Sequence, residues 1–387
     1  MSRFTHQLAN ACVDGGLRVT VIGQADAASK IDGAKYGITR GWRQGLSFTC
    51  SILRELRKSR ARNVNIHHEA TLYGPMATSV LFPLLVLLCR ASGMRVVTTL
   101  HHALNAQMIR EAHGQAERDT TRTRLFELAS YAFNILCAAV SDKVVVQHSR
   151  SVEAFPEMLR SKVVYIPLIA ESALRPSSEQ VERVRERYGL PRDYVLCFGF
   201  VSYYKGHHVL LDALELVKTP QRVVVVGPKN LRLQDDRGYQ AYHREMRERA
   251  QRLGVHWCDY VPEEDVSAFF AGARCAVFPY VTSFAASGPL SIATSLGVPS
   301  LPSTRIDCVG FENVAFEPQA QALARSLDRL NAADGFLDEL RACSMLYSAR
   351  CSPRAVVRGL LECFQLTPTF APEHVIRSAD RQHEEIA

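Results

Sequence analysis

FPYVTSFAASGPLSIATSLGVPS, residues 278 to 300, is the stretch on which the reading of this chain turns. An apolar strand, Ala273 to Phe278, ends at Pro279. A loop of Ser, Thr and Ala follows, and Ser287-Gly288-Pro289 then opens a helical run from Leu290 to Leu296. A strand, a small-residue loop and a helix start together present bare backbone N–H groups to an anion. Pro289 suits the first helical turn, where a missing N–H costs nothing, and Gly297 suits the position just past the helix end. An ordinary βα turn of a parallel sheet looks the same, so the surrounding sequence has to decide.

Around this stretch the chain alternates strand and helix. In the second half the strands Tyr194 to Phe198, Arg222 to Val226, His256 to Tyr260, Ala273 to Phe278 and Val298 to Pro302 are separated by helical segments. The first half repeats the pattern with Leu17 to Ile22, Val64 to His67, Arg95 to Leu100, Lys143 to Gln147 and Lys162 to Ile166. Ser149 caps an expected helix through Met158. Such alternation predicts an α/β protein of two Rossmann-like, doubly wound domains facing a cleft, with ligands at the carboxyl ends of the strands. The expected division is 1–168, a linker and helix over 169–192, a second domain over 193–347, and a final helix with a polar tail over 348–387.

Composition fits that plan. A chain of 387 residues exceeds one typical core, and 47% hydrophobic with 22% charged residues is a globular balance. No N-terminal segment has the make-up of a signal peptide. The longest apolar run, SVLFPLLVLLC from Ser79 to Cys89, is too short to span a bilayer and reads as a buried helix. Eleven cysteines without a Cys-x-x-Cys pair read as reduced core thiols of a cytoplasmic protein, with no metal framework. The net charge of +7 is concentrated: between Lys30 and Arg62, nine Lys or Arg stand against two acids. Within it, Leu46 to Ala61 puts Phe48, Ile52, Leu53 and Leu56 on one helical face and Arg54, Arg57 and Lys58 on another. The first reading is a solvated, sheet-covering helix; the alternative is a peripheral contact of 30–62 with an anionic membrane face. No aromatic-interleaved basic motif accompanies the charge, so nucleic acid is not an expected partner.

Three features fall at strand ends of the second half: Gly199 with Lys205-Gly206, Gly227-Pro228-Lys229, and Ser287-Gly288-Pro289. Their order and spacing resemble the nucleotide-sugar domain of the retaining, GT-B-fold glycosyltransferases of group 1. Asp259-Tyr260-Val261-Pro262 resembles the segment that follows in that family, and Phe278 to Pro299 its small-residue loop and helix. VNIHHEA, VVTTLHHA and SDKVVVQHS extend the resemblance into the first half. It implies transfer of a hexose from a nucleotide diphosphate sugar to a glycan or lipid-linked acceptor, with no cofactor and no metal. Lys205 supplies a point charge for the leaving diphosphate, and the backbone at Gly288, Pro289 and Leu290, with Ser287, supplies a positive helix end. His101, in Thr99-x-His101, is implied to lie near the transferring sugar, with His102 as the alternative for that role and His67 or His68 lining the same cleft. Gly199 and Gly206 shape the phosphate loop, while Gly227, Tyr260 and Val261 are implied to hold the nucleobase.

The chain departs from the family pattern in three places. Phe200 stands where the family has an arginine. Phe284 and Ile292 stand where it often has paired glutamates. The family opens on a strand and a Gly-Gly loop that binds the acceptor, whereas this sequence opens on the following helix: either the start is misassigned or an inner strand is missing, and a missing strand would leave a sheet edge unpaired. These departures support an alternative reading as a glycosyltransferase-like protein that binds a ligand or partner without turnover. A sugar-nucleotide epimerase shares the fold, but its paired acidic residues are not evident.

Overall fold

Valine-rich runs without charges make parallel strands buried on both faces. The computed structural model describes residues 3–25, 33–69, 72–75, 78, 80–112, 121–170, 174–230, 233, 235–282, 287–307, 309–367 and 370. Phe284 and the polar tail beyond 370 lie outside the described residues. Thr20–Gln24 (β1) and Gly37–Trp42 (β2) pair in parallel as a two-stranded ribbon. Asn63–His68 (β3), Arg95–Leu100 (β4), Lys143–Val146 (β5) and Val163–Tyr165 (β6) form a parallel sheet in that order. The helices Phe48–Ser59, Phe82–Ala91 and Thr121–Val140 lie on the sheet face that presents Val64, Ile66, Val96, Leu100, Val144 and Val146. The opposite face, with Val97 and Val145, is covered by the helix Arg3–Asp14 and, from the far end of the chain, by Pro353–Cys363.

The expected unpaired edge takes a specific form. Among the described residues β1 pairs only with β2, and β3 only with β4. Even-numbered carbonyls of β3 turn toward β4, as His68 O accepts His101 N–H at 3.1 Å. Odd-numbered ones turn the other way, and His67 O accepts the Tyr73 hydroxyl at 2.7 Å. On β1, Ile22 O accepts the Trp42 indole N–H at 3.4 Å. The Trp42 and Tyr73 rings are 5.1 Å apart. Two touching side chains, rather than a strand, therefore complete these carbonyls, as buried backbone acceptors require.

Tyr194–Phe198 (β7), Val223–Val226 (β8), His256–Cys258 (β9), Ala273–Phe278 (β10) and Ser300–Pro302 (β11) form the second sheet, in the order β11-β10-β7-β8-β9. From β7 the chain winds outward through β8 to β9, then returns to β7's other side for β10 and β11. The direction thus reverses between β7 and β10, which is where an open α/β sheet opens a crevice for ligand. The two halves meet at their strand ends: Ser149, just past β5, donates from N to Asp307 Oδ2 at 2.7 Å and from Oγ to Asp307 Oδ1 at 3.1 Å.

Three local expectations are revised. The ribbon strand β2 was not anticipated, because GITRGW has two glycines and only two large apolar residues to mark it. The helix expected from Ser149 to Met158 is a 3₁₀ turn, Ser149–Ala154, followed by a short helix, Glu157–Arg160. Pro156 explains the break, since the residue before a proline is pushed to extended backbone, as Phe155 is. The run from Ser79 to Cys89 is not wholly buried: Val80, Leu84 and Leu87 face outward.

Candidate active site

The β7–β10 crevice is closed by two loops in unusually tight contact. Gly206 has φ +72°, and a Cβ there would lie 1.7 Å from Pro279 O. Gly199 has φ +135°, and a Cβ there would lie 3.2 Å from Lys205 Nζ. Both positions have a backbone that favours glycine; at Gly206 a side chain has no room, and at Gly199 it would press on the lysine. Val281 N–H donates to Tyr204 O at 2.9 Å, tying the loop after β10 to the loop after β7.

Lys205 is carried by this junction and is only 6% exposed. Its ammonium donates to the Tyr280 hydroxyl at 2.5 Å, and that hydroxyl lies 3.0 Å from Ser287 Oγ. Ser287 caps the helix Gly288–Ser295 and accepts Leu290 N–H at 3.3 Å. The rings of Phe200, Tyr204 and Tyr280 lie 5.1, 5.6 and 4.5 Å from the ammonium. Burial holds the Lys205 pKa below its ordinary value. Among the described residues no carboxylate pairs with it. An ammonium has three N–H donors, and aromatic faces repay only part of the cost of removing it from water. Two of those donors have no described acceptor.

The helix start offers less backbone than the sequence implied. Pro289 has no N–H, and Leu290 N–H is taken by Ser287. Gly288 N–H remains without a described acceptor, and a Cβ on Gly288 would meet nothing within 4 Å. A side chain at 288 would therefore have room, on a helix whose cap, Ser287, reaches the lysine cluster through Tyr280. Ile292, one of the two positions where the family often has glutamate, packs against the core.

Gly227 adjoins this cluster, since Gly199 N–H donates to Val226 O at 2.9 Å. Gly227 N–H donates to Cys258 O at 2.8 Å, and a Cβ on Gly227 would strike the Trp257 ring at 2.6 Å. Tyr239 links the loops after β7 and β8: its oxygen accepts Asn230 N–H at 2.6 Å and its hydroxyl donates to Val201 O at 3.1 Å. Tyr260 is exposed and Val261 is buried, just past β9.

In the first half, His101 belongs to a chain of hydrogen bonds across three strand ends. The Thr99 hydroxyl donates to Asn65 Oδ1 at 2.8 Å. Asn65 Nδ2 lies 3.2 Å from His67 Nε2, His67 Nδ1 lies 3.1 Å from His101 Nε2, and His101 Nδ1 lies 2.8 Å from Gln147 Oε1. Gln147 Oε1 can only accept, so His101 carries its proton on Nδ1, and the chain runs in one direction with both imidazoles neutral. Burial, and then the neighbouring His101, pushes His67 down to about 3. Burial likewise lowers His101, with the Gln147 bond working against it. Phe4 presents its ring edge to both imidazoles, at 5.7 and 5.5 Å. His68 turns to the opposite face, 4.7 Å from the rings of Phe82 and of Phe133, and His102 is exposed. The structure therefore joins Lys205, Gly199, Gly206 and Ser287 to one another, and His101 to His67, as two separate clusters.

Sequence reasoning missed Tyr280, Asn65, Gln147 and Phe4. Tyr280 stands 75 residues from Lys205, and nothing local distinguishes it from a core tyrosine.

Residues 192–332 match the family described as glycosyl transferases group 1. This part of the chain is similar to that family, and the chain as a whole has the GT-B fold. A D-rhamnosyltransferase of Pseudomonas aeruginosa, WbpZ, is 32% identical over 123 residues, covering 31% of this chain and 28% of that protein. The match thus spans less than a third of that relative's length. A glycosyltransferase from Rickettsia africae superposes with a TM-score of 0.67 at 15% identity, over 94% of this chain and 93% of its own. HepE of Anabaena, in complex with UDP, superposes with a TM-score of 0.63 at 14% identity, over 85% of this chain and 86% of its own.

Proposed function

We propose that this chain is a retaining glycosyltransferase that moves a hexose from a nucleotide diphosphate sugar to a glycan or lipid-linked acceptor on the cytoplasmic side of a membrane, without a metal. The observation that carries the reading is Lys205, a buried ammonium with no described carboxylate, set at the sheet's switch point beside an open helix start. In the reaction the sugar's C1–O bond to the diphosphate breaks. A C1–O bond to the acceptor hydroxyl forms with the same configuration, and the acceptor's proton leaves with the diphosphate. Charge grows on the leaving oxygen as this happens. Lys205 and Gly288 N–H are placed to stabilise it in a water-poor site, where such interactions count most. Gly227, Tyr260 and Val261 are assigned to the nucleobase, and His101 to the sugar. A UDP-bound structure of the same fold supports a nucleotide donor, and the rhamnosyltransferase relative supports a sugar of hexose size. The basic stretch 30–62 is assigned to the membrane side.

A second reading, binding without turnover, rests on two observations. Phe200 removes a cation that the family places near the diphosphate, and both ring nitrogens of His101 are already engaged. Calorimetry with UDP, GDP and their hexose conjugates separates the cases. Binding to none of them sinks the transferase. Binding without sugar release to any glycan or lipid-linked acceptor favours the second reading.

A further inference from the structure

A helix that covers a sheet normally turns charged residues to water. Thr121–Val140 does not: from Leu128 to Val140 it has no charged residue at all. Asn134, Cys137 and Ala138 of this helix are buried, while Leu125, Leu128 and Leu136 are 66%, 65% and 52% exposed. The neighbouring helix Phe82–Ala91 repeats the arrangement. Leu85, Val86 and Cys89 are buried, while Leu84 and Leu87 are 44% and 48% exposed. Arg90 Nη1 reaches Val140 O at 3.3 Å, which brings the two carboxyl-terminal ends together, and the two helices pack on each other with these leucines turned outward. On the far flank of Phe82–Ala91 lies Phe48–Ser59, joined by Arg57 donating to Ser92 Oγ at 2.9 Å. Its outward side carries Arg54, Arg57 and Lys58, with Arg60 at its end, and no described acid pairs with Arg54 or Arg60.

We infer that this three-helix face, a strip of exposed leucines flanked by a basic helix, is a docking surface for an anionic lipid bilayer. Apolar side chains of this length enter the headgroup and acyl boundary, while the flanking cations meet anionic headgroups. Among the described residues no helix is long and apolar enough to cross a membrane, so the chain lies on the bilayer through this face. The inference moves the contact from the basic stretch alone to a surface centred on Leu87, Leu128 and Leu136. It stands whether or not the chain turns over a sugar.

The test is co-sedimentation with vesicles of phosphatidylcholine alone and of phosphatidylcholine mixed with phosphatidylglycerol, without any nucleotide. The full chain is expected to pellet with the mixed vesicles and to be released as salt rises. The double variant Leu87→Glu, Leu128→Glu is expected to bind at least about tenfold more weakly. Arg54→Glu with Lys58→Glu is expected to remove most of the salt dependence. All four positions are exposed, and an unchanged circular dichroism melt shows that the fold is retained. A second variant, Leu128→Trp, is expected to become quenched by brominated lipid. The inference is overturned if the wild type ignores mixed vesicles. It is equally overturned if the double glutamate variant binds as well as wild type, or if light scattering shows a dimer that Leu128→Glu separates while vesicle binding is absent.

Discussion

The two halves of this molecule place a buried polar cluster at equivalent positions, the carboxyl ends of parallel strands, and equip them oppositely. The Lys205 cluster keeps a full charge out of water with one hydroxyl and three aromatic faces for company. The His101 cluster keeps its imidazoles neutral by threading one directed chain of hydrogen bonds from Thr99 to Gln147. The first leaves two ammonium donors with no described acceptor, whereas the second engages every ring nitrogen of His67 and His101. On the proposed function, the difference assigns charge to the leaving group and neutrality to the group transferred.

The harshest way to break this contrast is to separate the loops that bury Lys205. Gly206→Ala places a methyl group against Pro279 O in a left-handed backbone, and should cost about 3 kcal/mol or more in urea unfolding. Next is the charge itself. Lys205→Ala should weaken nucleotide diphosphate binding about 100-fold by calorimetry, or roughly 2.7 kcal/mol. Lys205→Met should bind as poorly yet unfold no more easily than wild type, because a buried ammonium without a carboxylate costs stability. If Lys205→Met is instead strongly destabilised and binding persists, the cluster is structural.

The neutral cluster is tested with acid. The folded-state pKa of His67, about 3, lies below its unfolded value near 6.5. Its contribution to stability is therefore present above pH 6.5 and is lost as pH falls toward 3. Between pH 7 and 5 the loss is at most about 2 kcal/mol, since His67 is half-buried rather than sealed. His67→Gln should remove that share of the acid dependence, read as the change in urea midpoint between the two pH values. The smallest effect expected is that of Tyr280→Phe. Losing one hydroxyl between Lys205 and Ser287 should weaken nucleotide diphosphate binding about tenfold, roughly 1.4 kcal/mol, with the ring packing retained. Binding needs the protonated lysine, whose folded pKa is lowered, so affinity should fall on the alkaline side below pH 10.5, the ordinary lysine value.

Much of the first cluster was legible because its parts are local signals. YVLCF and ARCAVF read as buried strands, Gly199 and Gly206 as loop glycines, and Ser287-Gly288-Pro289 as a helix start. What was not legible depends on pairs far apart in the chain. Tyr280 acquires a role only by meeting Lys205, and Gln147 only by meeting His101. The leucines of Phe82–Ala91 and Thr121–Val140 misled for a related reason. An apolar run shows that a helix shuns water, but not which of its faces a neighbour covers. β2 escaped because a short, glycine-bearing strand has little pattern of its own.

The side-chain bridge between β1 and β3 has a consequence in time rather than in space. A backbone ladder opens only when many bonds break together, whereas across the gap from β1 to β3 Trp42 and Tyr73 supply one hydrogen bond apiece and the touch of two rings. The β1–β2 ribbon should therefore breathe on its own. Its amide protons should exchange with heavy water well before those of β4 and β5, as a unit of low local stability in an otherwise slowly exchanging sheet.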